Sequence, residues 1–263
     1  MKILFIGDII GKPGRHAVRE LLPTIVSEYG IHFVIANCEN AAAGFGITRD
    51  IVEELYANHI HVLTSGNHIW DKKEILEFAE DYDTLLRPAN YPEGAPGWGS
   101  VVIPSYSGIN VGVINLMGRV FMSPLECPFR VAEKEIEKLR KKTKIIFVDI
   151  HAEATSEKEA LGWFLDGRVS AVVGTHTHVQ TADERVLPEG TAYITDAGMT
   201  GPFNSIIGIR KDIILERFLV QIPNKFVVAK DDVRLQGVII DVDDSTGKAR
   251  DIHRLTVNLP GPG

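Results

Sequence analysis

Eight side chains in this sequence have the types and placement for shared chemistry: Asp8, Glu39, Asn40, Asn67, His68, His151, His176 and His178. Each comes shortly after a short apolar run that reads as a strand. In open α/β sheets the carboxyl ends of the strands line the ligand crevice. Two carboxylates, two carboxamides and four imidazoles gathered on one rim are too many polar groups to bury unpaired. Metal ions would satisfy them together. A donor set of carboxylate, carboxamide and imidazole, with no thiolate, suits iron, manganese or zinc. Gly174-Thr175-His176-Thr177-His178 sets two imidazoles at i and i+2. On extended backbone such side chains point to opposite sides, so each would serve a different ion. Glu39 is the natural carboxylate to bridge two ions.

The elements that must position these groups alternate between strand and helix. Lys2–Gly7, Phe33–Ala36, His61–Thr64, Val111–Leu116, Lys144–Ile150, Val169–Val173 and Ala192–Thr195 read as strands. Arg15–Tyr29, Thr48–Asn58, Lys72–Ala79 and Phe129–Lys142 carry helical stripes. Ser156-Glu157-Lys158-Glu159 has the form of a capping box before a further helix. Arg87–Ser107, rich in Pro, Gly and Tyr, reads as loop with short strands. Gly237–Val242 and Ala249–Leu255 flank Asp243–Lys248 as an antiparallel hairpin. The expected fold class is α/β, two packed mixed sheets with helices outside, in one domain over residues 1–263.

Composition narrows the partners. The chain has 263 residues, 44% of them hydrophobic, which suits one large core. Its formal net charge is −7, and no basic face is visible of the kind that grips a long nucleic acid. The cations Lys138, Arg140, Lys141, Lys142 and Lys144 cluster where a helix ends and complement its dipole. Cys38 and Cys127 form no disulfide framework. No run of ~18 apolar residues predicts a membrane span. The N-terminal segment turns acidic and glycine-rich too early for a signal peptide, so a cytoplasmic location is expected. Gly7-Asp8-Ile9-Ile10-Gly11-Lys12 hints at a phosphate loop. It is one residue short of the Walker spacing, and Pro13 stands where Ser or Thr would bind magnesium. Gly44-Phe45-Gly46 and Gly198-Met199-Thr200-Gly201 read as flexible loops that either cover a base or simply turn the chain.

Gly7-Asp8, Gly66-Asn67-His68, Asp149-Ile150-His151 and Gly174-Thr175-His176-Thr177-His178 together resemble the motif series of calcineurin-like metallophosphoesterases. The chain departs from that series at Ile10, at Asn37-Cys38-Glu39-Asn40 and at Ile69. With these departures, nearly the whole chain is similar to one bacterial branch, the YmdB-like phosphodiesterases. The resemblance implies an αββα sandwich and two divalent or mixed-valence transition-metal ions, iron first, with manganese or zinc as alternatives. It implies one ion on Asp8, Glu39, Asn40 and His178, with Asn40 replacing the imidazole missing at position 10. The second ion would sit on Glu39, Asn67, His151 and His176. A hydroxide between the ions would attack phosphorus, and His68 would be the general acid. The implied substrates are small phosphoesters, cyclic nucleotides and 2′,3′-cyclic nucleotides above all. The rivals are a phosphomonoesterase, a 3′,5′-cyclic nucleotide phosphodiesterase with the same metals, or a regulatory nucleotide-binding protein with little turnover. A proton donor at His68 favours catalysis, because binding needs none. Assembly into a homo-oligomer is compatible with the sequence.

Overall fold

Residues 1–260 are described by a computed structural model of the chain. In chain order the elements are β1 (Lys2–Ile6), β2 (Asp8–Ile9), α1 (Gly11–Tyr29), β3 (Phe33–Asn37), α2 (Arg49–Ala57), β4 (Val62–Thr64), α3 (Ile75–Phe78), β5 (Ser100–Pro104) and β6 (Asn110–Met117). They continue with α4 (Pro128–Leu139), β7 (Ile145–His151), α5 (Thr155–Phe164), β8 (Ala171–Thr175), β9 (Arg185–Val186) and β10 (Ala192–Ile194). The last are β11 (Met199–Pro202), α6 (Lys211–Val220), β12 (Val233–Val242) and β13 (Ala249–Asn258).

Two mixed sheets result. The first runs β2-β11-β12-β1-β3-β4, with β13 added to β12, and the second runs β5-β6-β7-β8-β10-β9. The strands read as unbroken apolar runs because both faces of each sheet are covered. Period-two alternation assigns the faces. In β1, Leu4 and Ile6 pack toward α1 and α2, whereas Ile3 and Phe5 enter the space between the sheets. In β7, Ile146, Val148 and Ile150 pack toward α4 and α5, and Ile145 and Phe147 face the first sheet. The rings of Phe5 and Phe147 meet across that space with centroids 5.2 Å apart. Such a pair adds about 0.5–1.5 kcal/mol beyond its buried area. The layers are therefore helix, sheet, sheet, helix, as the alternating pattern predicts.

Several local expectations are corrected. The expected capping box is not formed: α5 begins at Thr155, its N-cap is Ala154 and no side chain caps it. Ser156 lies inside the helix, and Glu157 is buried and accepts the backbone N–H groups of Arg119 and Val120 at 3.0 and 3.2 Å instead. Gly198–Gly201 is no flexible loop, because Met199–Pro202 forms β11 and pairs with both β2 and β12. The stripe at 72–79 contracts to the short α3, and the stripe at 129–142 stops at Leu139. The helix α6 was not visible as a core element, since only Ile214 of it is buried. The expected hairpin is present as β12 and β13.

Candidate metal centre

The parallel strands β1, β3, β4, β7 and β8 all end on one rim, which gathers the eight residues. Asp8 follows β1, Glu39 and Asn40 follow β3, and Asn67 and His68 follow β4. His151 closes β7, and His176 and His178 follow β8. Gly66 is required here, because a Cβ at that position would collide with the His151 ring.

Three acceptor-bearing groups converge on one atom. His151 Nε2 lies 3.1 Å from Glu39 Oε1, 3.0 Å from Asn67 Oδ1 and 3.0 Å from His176 Nδ1. A single ring nitrogen can satisfy one such neighbour with a proton, not three. Glu39, His151 and His176 each offer one atom within 4.8 Å of the others, the spacing of a metal-ligand cluster. Beside it, Asp8 is fully buried, and its Oδ1 has no hydrogen-bond partner. His178 Nε2 stands 3.8 Å from that oxygen and 3.2 Å from Asn40 Nδ2, which in turn lies 3.2 Å from Glu39 Oε1. Turning the Asn40 amide over would set its oxygen toward both neighbours. The orphaned Asp8 oxygen and the crowded lone pairs fit divalent cations bound by oxygen and imidazole.

The expected reason for the divergence of His176 and His178 was wrong. The segment is not extended: His176 has φ 107° and His178 has φ 63°. This left-handed backbone, strained for residues other than glycine, carries one ring to the His151 group and the other to the Asp8 group. Asp196 braces it by accepting the N–H and hydroxyl of Thr177 at 3.0 and 2.8 Å, and the buried Lys158 ammonium donates to Asp196 at 2.8 Å.

Electrostatics follow the crowding. Burial pushes the Asp8 carboxyl above its ordinary range. Burial also opposes the Glu39 carboxylate, but the adjacent His151 outweighs it and the net shift is downward. His151 is disfavoured as a cation by burial, yet Glu39 raises it to about 9. His176 is lowered to about 3, by burial first and by His151 second.

Residues 4–255 match the sequence model of the YmdB-like protein family. The chain belongs to that family. A Bacillus subtilis relative named 2′,3′-cyclic-nucleotide 2′-phosphodiesterase is 53% identical over 258 residues, covering 98% of this chain and 97% of its own. The YmdB-like chain also superposes on two crystal structures. One, a hypothetical protein from Thermus thermophilus, has a TM-score of 0.92 at 41% identity, covering 99% of this chain and 100% of that one. The other, described as a novel phosphatase from Mycoplasma pneumoniae, has a TM-score of 0.91 at 35% identity, covering 98% and 93%.

In this YmdB-like chain the rim opens into a cleft of about 720 Å³. Glu39, Asn40, His68, His176 and His178 form its floor, and Phe45, Ile207, Phe218 and Phe226 line an apolar wall. His68 lines the cleft, its Nδ1 is 2.9 Å from Asp71 Oδ2, and its backbone N–H donates to Glu39 Oε2 at 3.0 Å. Phe45 approaches its ring edge-on at 4.9 Å. Sequence reasoning missed Glu153, whose Oε2 lies 2.9 Å from His176 Nε2. Its only signal was its place two residues after His151. Reasoning also missed Arg217, which lies over the Phe226 ring at 4.8 Å and lines the wall from the unforeseen α6. Cys38 is buried, and burial pushes its thiol up, in keeping with a small core residue. No helix among the described residues is long and apolar enough to cross a membrane.

Proposed function

We propose that this chain is a dinuclear-metal phosphodiesterase that hydrolyses cyclic nucleotides, 2′,3′-cyclic nucleotides first. The observation that carries the reading is the convergence of Glu39 Oε1, Asn67 Oδ1 and His176 Nδ1 on His151 Nε2 beside the unpartnered Asp8 oxygen. Asp8, Glu39, Asn40 and His178 would hold one ion, and Glu39, Asn67, His151 and His176 the other. These donors suit iron, manganese or zinc, and the family resemblance puts iron first. Bound there, the ions supply charge that stabilises the phosphoryl oxygens and activates an attacking water.

The chain's own residues supply the rest. His68 Nδ1 is engaged by Asp71, so Nε2 is the nitrogen that delivers a proton to the leaving ribose oxygen. The ring is kept off the metals because the Asn67–His68 turn sends the carboxamide to His151 and the imidazole to the cleft. Phe45 and Phe226, stacked at 5.8 Å, give the wall an apolar surface suited to a base. A small nucleotide fills a cleft of this size, and a long nucleic acid does not. The 53% identical Bacillus subtilis enzyme supports the same substrate class. The whole chain serves as one catalytic domain, in the cytoplasm and not at a membrane, and copies of it can assemble around that unit.

The test is a substrate panel on iron- and manganese-loaded protein: 2′,3′-cyclic, 3′,5′-cyclic and acyclic nucleotides, and simple phosphomonoesters. The reading expects fastest turnover on 2′,3′-cyclic nucleotides. Preference for a monoester or a 3′,5′-cyclic nucleotide would replace the substrate. Tight binding with no turnover would make the protein a nucleotide-binding regulator.

A further inference from the structure

Beneath His151 the inter-sheet core ends in polar side chains instead of apolar ones. On β7 the period-two face that carries Ile145 and Phe147 continues to Asp149 and then to His151. On β8 it runs from Ala171 and Val173 to Thr175, on β3 from Phe33 and Ile35 to Asn37, and on β4 from Val62 to Thr64. The four polar residues beneath His151, namely Asp149, Thr175, Asn37 and Thr64, are all fully buried. Burying four polar groups at the end of an apolar core is costly unless each is paired, and the pairing here leads to one place. Asp149 Oδ2 accepts from Thr64 Oγ1 at 2.5 Å and from Asn37 Nδ2 at 3.2 Å. Asp149 Oδ1 lies 2.8 Å from Thr175 Oγ1, and Thr175 Oγ1 lies 2.9 Å from His151 Nδ1.

We infer that Asp149 and Thr175 are positioning residues that hold His151 with its proton on Nδ1 and its Nε2 lone pair facing the metal site. The inference rests on the metal-binding reading above. Thr175 has one hydroxyl proton. Asp149, with two donors already on Oδ2, takes that proton as an acceptor on Oδ1. The Thr175 oxygen then has only lone pairs to offer His151, so Nδ1 must carry the hydrogen between them. Nε2 is then free to offer its lone pair to a bound metal, beside Asn67 Oδ1, His176 Nδ1 and Glu39 Oε1 at 3.0–3.1 Å. The parallel register that places His151 opposite Thr175 makes this arrangement a property of the strands and not of a loop. Metal-bound imidazoles are commonly tuned through the other ring nitrogen. Here the tuning carboxylate acts through an intervening hydroxyl.

The test uses the full chain and zinc as the probe. Thr175→Val removes the hydroxyl at nearly constant volume, and Thr175→Ser restores it. Zinc affinity, measured by chelator competition on folded protein, should fall about 10–100-fold in Thr175→Val and recover in Thr175→Ser. A merely structural role would lower the melting temperature without this pattern of loss and rescue in the folded fraction. Nitrogen-15 imidazole spectra of the zinc-loaded wild type should show His151 protonated at Nδ1 and bound through Nε2, a readout independent of how either variant folds. Wild-type affinity in Thr175→Val, or zinc on His151 Nδ1, overturns the inference and leaves the metal reading standing. Failure of the wild type to bind zinc, iron or manganese overturns both.

Discussion

The Nε2 atom of His176 lies 2.9 Å from a carboxylate oxygen of Glu153, while Nδ1 of the same ring faces His151 Nε2 at 3.0 Å. The acid therefore holds the outward proton of a ring whose inward nitrogen is a proposed ligand. Glu153 is half exposed at 51%, so its hold is weaker than that of a buried partner. Glu153→Ala should weaken metal binding by about tenfold, the lower end for such supporting groups. Glu153→Gln, which keeps an acceptor, should lose less. Isothermal titration with manganese decides it, and equal affinity in all three proteins would remove the role.

His68 should behave as a proton donor and not as a ligand. His68→Ala is expected to keep its full metal content and lose about 10²–10⁴-fold in rate on a cyclic nucleotide. The loss should shrink on a nitrophenyl ester, whose leaving group needs little protonation. Asp71→Asn, which weakens the 2.9 Å contact to His68 Nδ1, should show a smaller loss with the same substrate dependence. Equal losses on both substrates would exclude general acid catalysis, and a missing metal ion in His68→Ala would make the residue a ligand.

Asp8 is a buried carboxylate with one oxygen unpartnered. An unmet buried acceptor costs about 1–3 kcal/mol, and more when charged. Asp8→Asn should therefore leave the metal-free protein at least as stable as the wild type. It should also reduce the rise in melting temperature that metal produces, because a ligand that binds only the native state stabilises by mass action. Scanning fluorimetry with and without manganese measures both. A metal-free variant that melts well below the wild type, or an undiminished metal-induced rise, would remove Asp8 from the site.

His61, just before β4 and not part of the candidate metal centre, should give the fold an acid-sensitive limb. Its Nδ1 accepts the Val34 N–H at 3.1 Å, and its Nε2 is buried without a partner. Burial first, and the neighbouring His59 second, lower it from 6.5 to about 4. Between those values the unfolded chain holds the extra proton and the native protein does not. Stability should thus be fully present above pH 6.5, fall as the pH drops toward 4, and lose no more from this group below that. His61→Asn keeps an acceptor for Val34 and has nothing to titrate. Urea unfolding between pH 7 and 4 should show a shallower decline in the variant, and parallel declines would assign the limb to other groups.

The sequence by itself determined the layers and the eight rim residues. Apolar runs such as Phe33–Ala36 and Lys144–Ile150 specify strands covered on both faces, and polar residues at the carboxyl ends of successive parallel strands share one edge of a sheet. What tertiary structure decided was every contact made across distant segments. Glu157 satisfies the 119–120 amides, 37–38 residues away, so no local capping signal could reveal its role. Gly198–Gly201 looks flexible in isolation and becomes a strand only because β2 and β12 offer it hydrogen bonds. The two histidines of the 174–178 loop were legible as a pair. Their opposite directions depend on left-handed backbone held by Asp196 and Lys158, which lie outside the motif. Asp149 stood in plain view beside His151, but its meaning required Thr64, Asn37 and Thr175 to be brought around it by two sheets packing face to face. Periodicity is a local property of the chain and can be read locally. The partners of a buried polar group are chosen by sheet packing, which no single segment encodes.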